Sequence, residues 1–336
     1  MPTLMLTTRC PNACVWCFAQ SKMREYRHRG ILEMGWEEFV SAVDFFERSG
    51  ERRISILGGD PLMHTHIETM LEYLQDRNLC ATVGTTGIIS SSLVDRIAQA
   101  RFRGLLFGVN STSYFDYGPL KRARVDYFLE NIGYPTGIAY TISERDLTAG
   151  SPFSVLERIV MIVRFSLRRH LTLQIAAPAD ENRCYIPFHR YGEVVDLLGK
   201  WISILEANGI TYSVDCHAIP VCFPPESHRV GYPFHARCTQ FPLDVGPDLM
   251  VWPCFPLSNH AVALDRFRDF GEIRSYFHER TQGTTLRYEG GCTGCAERDR
   301  GACDGGCLGF QHRRGDLRLP RSSTNFSCNN AVGLEL

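Results

Sequence analysis

The sequence predicts an α/β fold in which six strand–helix units form a barrel or a partial barrel, followed by a second, cysteine-rich domain. Two observations predict it. From residue 2 to residue 176, short apolar runs alternate with amphipathic stretches, as expected for parallel strands joined by right-handed helical crossovers. After Gly209 the chain changes to short apolar runs rich in proline and cysteine. We therefore expect a first domain of residues 1–209 and a second of residues 210–336.

Hydrophobic periodicity defines the elements of the first domain. The expected strands are residues 3–7, 53–57, 81–85, 104–109, 137–142 and 172–176. In the first helical pattern Phe39, Val43 and Phe46 recur at three- and four-residue spacing, which gives one buried face. The expected helices are residues 36–48, 67–77, 91–100, 121–131, 154–167 and 191–207. In such barrels the reactive groups lie on loops at the carboxyl ends of the strands.

The charges balance, with 36 Lys and Arg against 37 Asp and Glu, which argues against nucleic acid and membrane surfaces as partners. No run of about 18 uninterrupted apolar residues indicates a transmembrane helix. The N-terminus lacks the basic start and cleavage site of a signal peptide, so we expect a cytoplasmic protein. The basic stretches 22–29 and 313–321 are expected to be solvated faces or loops.

The chain has fourteen cysteines. Disulfides are disfavoured in the cytosol, so this number indicates metal ligation. Cys10, Cys14 and Cys17 cluster at the front, and seven more fall between Cys238 and Cys328. The sequence therefore predicts two metal-binding regions separated by a body with few cysteines.

The front cysteines have three and then two residues between them, in the run Cys10-Pro-Asn-Ala-Cys14-Val-Trp-Cys17. A short loop with these gaps can supply three thiolates to a [4Fe–4S] cluster. One iron then lacks a protein ligand, and an open coordination position is where a substrate or cofactor can bind. The alternative is a zinc knuckle with a distant fourth ligand, although zinc motifs usually pair cysteines two residues apart.

This run resembles the C-x₃-C-x-Φ-C signature of the radical SAM superfamily, with Trp16 as the aromatic residue Φ. The resemblance implies a partial (β/α)6 barrel. It also implies that S-adenosylmethionine (SAM) chelates the open iron and is cleaved reductively to a 5′-deoxyadenosyl radical, which abstracts hydrogen from a substrate. An electron donor, a reductase or a flavodoxin-type protein, is then required.

A second segment resembles the GGEP motif of the same superfamily, which supports the methionine amino group of SAM. It follows the second expected strand directly and reads Gly58-Gly59-Asp60-Pro61. Asp60 stands where Glu is commoner, which keeps the negative charge. Glycines let backbone approach a ligand closely, and an acidic side chain can accept from an ammonium.

The resemblance implies three further SAM contacts at strand ends: Thr86 after the third strand, Asn110 at the end of the fourth and Ser143 after the fifth. For each of these residues the alternative is a capping or turn role.

The rear cysteines resemble the SPASM extension, which carries two auxiliary [4Fe–4S] clusters. The resemblance assigns Cys238, Cys254 and Cys307 to the nearer cluster and Cys292, Cys295, Cys303 and Cys328 to the outer one. Cys222, with Cys216 behind it, is the candidate for the missing fourth ligand of the nearer cluster. Two departures from the pattern are Leu249, where Gly is expected, and seven residues rather than five between Cys295 and Cys303. Zinc is the alternative metal for this region.

The expected reaction is oxidative, because auxiliary clusters can accept electrons from a substrate radical. SPASM enzymes most often modify ribosomally made peptides, so oxidative modification or cross-linking of such a peptide is the leading prediction. Dehydrogenation or epimerisation of a small polar metabolite, such as a sugar or an aminocyclitol, is the alternative. A non-catalytic zinc-binding module is the alternative from another class.

Two features refine the expected substrate. Phe255 follows Cys254, where sulfatase-maturing relatives carry a catalytic Asp, so sulfatase maturation is not expected. The sequence begins at the first strand, so a peptide substrate is expected to need a separate leader-recognition protein. No acid or base can be assigned, since Asp215, His217, Asp244 and His260 are more simply explained as structural residues.

Overall fold

The computed structural model describes residues 1–148, 152–179, 182, 184–214, 219–220, 238, 241–281, 292, 294–303 and 305–310. Its strands join one sheet of ten, in the order β10-β9-β8-β1-β2-β3-β4-β5-β6-β7. They are β1 Thr3–Thr7, β2 Arg53–Gly58, β3 Cys80–Thr85, β4 Leu105–Asn110, β5 Thr136–Ile142, β6 His170–Ile175, β7 Thr211–Val214, β8 Asp244–Val245, β9 Met250–Trp252 and β10 Val262–Ala263.

The helices in the described part of the chain lie mainly between the strands. They are α1 Gln20–His28, α2 Trp36–Arg48, α3 Ile67–Asp76, α4 Ser91–Ala100, α5 Pro119–Asn131, α6 Glu144–Thr148, α7 Pro152–Phe165, α8 Tyr191–Ala207, α9 Phe270–Thr281 and α10 Ala296–Asp299. None of them combines the length and the hydropathy needed to cross a bilayer.

Strands β1 to β7 pair in chain order and run parallel, which confirms the predicted α/β class. The six predicted strands and six predicted helices agree with the structure to within two residues at each end. On the other side of β1, β8 pairs parallel to it and leads into an antiparallel ribbon with β9 and β10. The described strands after residue 210 therefore extend both ends of the same sheet.

Strands β2, β3, β4 and β6 alternate between buried and more exposed residues, so that one face packs on the helices and the other is less covered, whereas β1 and most of β5 are buried on both faces. In β2, Ile54 and Ile56 are buried, whereas Ser55 and Leu57 between them are partly exposed. The buried face packs on helices, as the 5.2 Å contact between the rings of Phe107 in β4 and Phe128 in α5 illustrates. The loops at the carboxyl ends of the strands therefore surround a face that the helices do not fill.

The basic stretch 22–29 lies mostly in helix α1. Most of its basic side chains are exposed, as expected, at Arg24, Arg27, His28 and Arg29. Lys22 differs from this expectation. Lys22 is only 6% exposed. Its Nζ lies 2.8 Å from Glu25 and about 5 Å from the rings of Tyr26 and Trp252. A cation paired and stacked in this way can be covered by apolar neighbours. The second basic stretch, 313–321, lies outside the described residues.

Helix α9 has no counterpart among the predicted elements. Phe270, Ile273 and Phe277 are its buried apolar residues, at a spacing of three and four that does indicate a helix. The pattern was not recognised as a helix because the surrounding sequence is rich in cysteine and proline. Phe270 packs on Phe45 and Phe46 of α2, with ring centroids 5.1 and 4.9 Å apart, so α9 covers the outside of the first strand–helix unit.

Candidate functional site

The three front cysteines lie on the loop that connects β1 to α1. The loop contains a turn in which the Cys17 amide donates to the carbonyl of Cys14 over 3.2 Å. All three thiols are partly buried. They lie near enough to one another for the thiolates of Cys10 and Cys14 to affect the titration of Cys17. We refer to residues 8–19 as the cysteine loop.

Burial dominates the acid–base behaviour of these thiols. It raises the pKa of Cys10 to about 11 and the pKa of Cys17 to about 12. Burial also raises the pKa of Cys14, although the neighbouring Ser113 and Lys121 oppose the shift. Iron bound by these sulfurs would have to displace protons.

The donor chemistry of the loop fits an iron–sulfur cluster. Three soft thiol ligands on one short loop are what a [4Fe–4S] cluster with one open iron requires. Among the described residues, no three His, Cys, Asp or Glu side chains are arranged to hold a single metal ion.

The segment 58–61 packs directly against the start of the cysteine loop. The Gly59 amide donates to the Thr7 carbonyl and the Asp60 amide to the Arg9 carbonyl, both over 2.7 Å. A Cβ atom at Gly59 would lie 2.0 Å from the Arg9 oxygen, and Gly58 has φ +138°. Only glycine fits both positions. The two motifs, far apart in the sequence, therefore form one continuous backbone junction.

Asp60 directs its carboxylate into the protein. It is fully buried and accepts hydrogen bonds from the Thr86 amide at 2.8 Å, the Thr86 hydroxyl at 2.6 Å, the Thr85 hydroxyl at 2.9 and 3.0 Å and the Leu62 amide at 3.2 Å. Burial raises the pKa of Asp60, and these donors oppose the shift. The carboxylate thus fixes the turn after β3, and its predicted contact with the SAM ammonium stays a prediction.

The other predicted SAM contacts make local bonds. Asn110 accepts from the Thr112 amide at 3.0 Å. The Ser143 hydroxyl donates to Asp146 at 3.1 Å, at the start of α6. Trp16 receives a bond from the Asn182 side chain on its carbonyl oxygen, at 3.2 Å. These bonds fit the turn and capping roles, while the SAM contacts of these residues stay predictions.

Sequence reasoning missed three residues that hold the cysteine loop from the β4–α5 side, namely Ser113, Tyr117 and Lys121. The Asn12 side-chain amide donates to the Tyr117 hydroxyl, and the Lys121 Nζ lies 3.0 Å from both the Pro11 carbonyl and Asn12 Oδ1. The Ser113 hydroxyl lies 3.8 Å from Cys14 Sγ. No local pattern signals these contacts, because the partners are about a hundred residues apart and meet only in the folded barrel.

The front and rear regions meet through aromatic rings. Phe18 and Phe255, each the residue directly after a cysteine, have ring centroids 4.9 Å apart. The Phe255 ring also lies 5.7 Å from Trp252, which is fully buried. Cys17 packs against this aromatic cluster, so the first and second cysteine regions share one apolar contact surface.

The described rear cysteines are arranged as follows. Cys238 Sγ accepts from the Leu308 amide at 3.3 Å, and both Cys238 and Cys307 lie close enough to Tyr191 to affect its titration. Cys254 packs against the main hydrophobic core, to which Cys307 also belongs. Cys303 is buried and accepts from the Gly305 amide, whereas Cys292 and Cys295 are partly exposed. The assignment of these cysteines to two clusters stays a prediction.

Several predicted residues lie outside the described part of the chain. They are Cys216, Cys222, Cys328, Asp215 and His217. Of the remaining acid–base candidates, Asp244 lies in β8, paired with Trp252, and His260 is buried.

Leu249, which stands where the SPASM pattern has glycine, adopts φ +58°. This left-handed conformation is the one glycine adopts without cost. The Leu249 amide donates to the Gly246 carbonyl at 3.0 Å and closes the β8–β9 turn. The departure in sequence therefore leaves the turn in place, at the expense of backbone strain.

Comparison with known proteins gives a family match over the first part of the chain. Residues 4–134 match the model of the Radical SAM superfamily. A GTP 3′,8-cyclase of Desulforamulus reducens is 26% identical over 110 residues, which is 32% of this chain and 33% of that protein. An Fe-coproporphyrin III synthase of Methanosarcina barkeri is 30% identical over 91 residues, which is 27% of this chain and 21% of that protein. The matched stretch is thus about a third or less of these curated relatives.

Solved structures share the fold over more of the chain. Streptococcus suis SuiB bound to S-adenosylmethionine superposes with a TM-score of 0.64 over 96% of this chain and 76% of that chain, at 14% identity. The protein anSMEcpe with bound AdoMet gives a TM-score of 0.60 over 92% of this chain and 86% of that chain, at 15% identity. The family match thus covers residues 4–134, and these structures share the fold over most of the chain.

Proposed function

We propose that this protein is an enzyme that cleaves S-adenosylmethionine at a [4Fe–4S] cluster held by Cys10, Cys14 and Cys17. The observation that carries the proposal is the junction between the cysteine loop and the segment 58–61, made by backbone bonds of 2.7 Å at Gly59 and Asp60. This junction brings the three thiol ligands close to Gly58 and Gly59, which have no side chains, at the carboxyl ends of the neighbouring parallel strands β1 and β2. That is the position where barrels of this class carry their reactive groups.

The chain's own residues have separable parts in this proposal. The three cysteines supply the ligands, and Gly58 and Gly59 keep side chains out of the space beside them. Asp60 holds the turn after β3 through Thr85 and Thr86. A cluster held by these cysteines would supply the electron needed to break the sulfonium bond of SAM.

The test is reductive cleavage of SAM by anaerobically purified protein. Dithionite and SAM should give 5′-deoxyadenosine, and iron analysis should find a cluster. Cys14→Ala should lose both the iron of this cluster and the product. Cys80→Ala, which removes a partly buried thiol outside both motifs, is the matched control and should retain them. Product formation by Cys14→Ala at the unmodified rate would contradict the proposal.

For the substrate we propose a ribosomally made peptide that is oxidised or cross-linked. Likeness of fold supports this, because the similar structures include SuiB bound to precursor peptide SuiA and anSMEcpe with bound AdoMet and Kp18Cys peptide. The rear cysteines support it as well, since auxiliary clusters could take up the electrons that oxidation of a peptide releases. A separate leader-recognition protein remains part of this proposal.

The second candidate is modification of a small polar metabolite. The observation that favours it is the sequence likeness to a GTP 3′,8-cyclase and an Fe-coproporphyrin III synthase. The two candidates are separated by incubating the enzyme with a deuterated peptide encoded beside its gene, or with deuterated sugars and nucleotides. Deuterium in 5′-deoxyadenosine identifies the substrate, because hydrogen abstraction transfers the label to that product. Label arriving only from a small molecule would overturn the peptide proposal.

A further inference from the structure

Asn182 is a fully buried polar side chain in the loop that follows β6. Its side-chain nitrogen donates to the Ala177 carbonyl at 2.7 Å and to the Trp16 carbonyl at 3.2 Å. Its Oδ1 accepts from the Cys184 amide at 2.9 Å. A side-chain amide is stable in the interior only when hydrogen bonds replace its contacts with water, so these partners fix where the side chain lies.

The Trp16 carbonyl belongs to the peptide unit that leads into Cys17. The N–H of the same unit is the Cys17 amide, which donates to the Cys14 carbonyl at 3.2 Å. Hydrogen bonds therefore hold both polar ends of this planar unit, one from within the cysteine loop and one from Asn182. A peptide plane held at both ends resists rotation, so the backbone that carries the Cys17 thiol keeps its orientation.

The loop that carries Asn182 is itself anchored on both sides of this residue. Before it, the Ala176 amide donates to the Ile142 carbonyl at the end of β5, at 2.7 Å. After it, the Cys184 carbonyl accepts from the Glu144 amide at the start of α6, at 3.1 Å. The bond to Trp16 therefore ties the cysteine loop to a fixed part of the molecule.

The contact joins two loops whose strands lie far apart in the sheet. Strands β2 to β5 separate β1 from β6, which would place β1 and β6 about 24 Å apart in a flat sheet with strands about 4.8 Å apart. The contacts from the β4–α5 side reach the first part of the loop, at Pro11, Asn12 and Cys14. Asn182 reaches the part beside Cys17.

A purely local role is the alternative for Asn182. The bond from the Cys184 amide to Oδ1 is an Asx turn, which asparagine makes in many loops. The turn uses only the acceptor, however. The side-chain nitrogen has two N–H groups, which matches the two carbonyls of Ala177 and Trp16, and only the second of these lies outside the loop after β6.

We propose that Asn182 is a positioning residue for Cys17, which holds the peptide unit before this cysteine and keeps the third thiol in place beside the other two. This rests on the proposed function for its effect on a cluster, because the thiols need a fixed arrangement only if they bind one. Without the bond to Trp16, the end of the cysteine loop should open and admit water to Cys17.

The first measurement is the rate at which iodoacetamide alkylates Cys17 in anaerobically purified full-length protein, resolved by peptide mass spectrometry. The variant is Asn182→Ser. Its hydroxyl can still accept from the Cys184 amide two residues on, but it is too short to reach Trp16. Cys17 should react about tenfold faster than in the unmodified protein, the lower end for loss of a contact behind a metal ligand. Cys80, at the start of β3, should keep its rate.

The matched control is Thr136→Ala. It removes a buried hydroxyl that donates to the Tyr134 carbonyl at 2.9 Å, at the start of β5 and so at the opposite end of the parallel strands from the cysteine loop. Both alkylation rates should stay unchanged in this variant. No acceleration at Cys17 in Asn182→Ser, or equal acceleration at Cys17 and Cys80, would overturn the proposal.

A second variant, Asn182→Asp, keeps the size and the acceptor of the side chain and loses both amide donors. It should also accelerate alkylation of Cys17 alone, and it decides the question where the serine variant does not fold. A rate at Cys17 equal to that of the unmodified protein would show that the bond to Trp16 does not hold the thiol.

The second measurement is the midpoint potential of the cluster whose EPR signal changes when SAM is added. Contact with water favours the reduced cluster, which is the more negatively charged state, so the potential should be more positive in Asn182→Ser. It should not change in Thr136→Ala. An unchanged potential in Asn182→Ser, or an equal shift in both variants, would overturn the role of Asn182 toward the cluster.

Failure of the proposed function gives a different result. If Cys14→Ala still cleaves SAM at the unmodified rate, the front cysteines do not hold the active cluster and the proposed function fails. The alkylation rates of Cys17 and Cys80 need no cluster. They therefore still decide whether Asn182 positions Cys17.

Discussion

The cysteine loop carries the front cysteines and the β8–β9 hairpin leads into Cys254, and the two are held in opposite ways. The cysteine loop is held by backbone hydrogen bonds to the segment 58–61, in which the two glycines, Gly58 and Gly59, allow the chains to approach closely. The hairpin is held by large side chains, among them Trp252 and Phe255. The contact at Gly58 and Gly59 therefore has no room for an added side chain. The contact made by Trp252 and Phe255 depends on large rings and is weakened when one of them is removed.

Gly59→Ala should have the largest effect. Its Cβ would lie 2.0 Å from the Arg9 carbonyl oxygen, which is backbone and cannot move aside. We expect a loss of about 4 kcal/mol in the free energy of unfolding, measured by urea denaturation. This exceeds the roughly 3 kcal/mol that usually limits the cost of overpacking, because the backbone itself has to shift. The control is Gly108→Ala in β4, where a Cβ meets nothing within 4 Å. An equal loss in both variants would show that the junction is not the cause.

Phe255→Ala should cost about 3 kcal/mol of unfolding free energy, because it leaves a cavity beside Phe18 and Trp252. A double-mutant cycle with Phe18→Ala should give a coupling of about 1 kcal/mol, the usual value for an aromatic pair. Additive single-variant effects would mean that the two rings do not join the front and rear regions.

Tyr26→Phe should cost about 2 kcal/mol. The buried Tyr26 hydroxyl donates to Asp248 in the β8–β9 turn at 2.7 Å, and Arg29 pairs with the same carboxylate at 2.8 Å. Tyr127→Phe is the matched control, since it removes a similar 2.7 Å bond, to Asp95, from a solvent-accessible site. Its effect on thermal unfolding should be much smaller, and equal effects would count against a role for burial.

Asp60→Asn should change how the free energy of unfolding depends on pH, over the titration of one group. Burial raises the pKa of Asp60 in the folded protein, so the native state holds this proton more tightly than the unfolded chain does. The stabilisation from this proton is complete below the ordinary Asp pKa and is lost as pH rises through the raised one. The difference in unfolding free energy between unmodified protein and variant should therefore shrink with rising pH. A constant difference would contradict this account.

The front region follows largely from the sequence, because its determinants are local. Alternating apolar residues define the strands, and the spacing of Cys10, Cys14 and Cys17 defines the loop. The rear junction does not follow from it. Helix α1 has a polar sequence, and its buried face exists only because Trp252 and Asp248 arrive from the hairpin. Such contacts depend on the three-dimensional path of the chain, which no local pattern encodes.

The contact of Lys121 with the cysteine loop could not be predicted from the sequence either. The residues around Lys121 predict only a helix. Its partners Pro11 and Asn12 lie more than a hundred residues earlier in the chain. The same holds for Asp60, whose sequence suggests a ligand contact. Three of its four hydrogen-bond donors belong to Thr85 and Thr86, which only the third strand brings within reach, and the fourth is the nearby Leu62 amide.

Strand β1 has neighbours on both sides, β2 on one and β8 on the other. A chain cut after residue 214 would lose β8 and leave the strand that leads to Cys10 with a bare row of amides and carbonyls. An unpaired strand edge of this kind can pair with strands of other molecules, so the shortened protein should form oligomers or aggregates. The rear segment therefore protects the β1 edge of the parallel sheet from other chains.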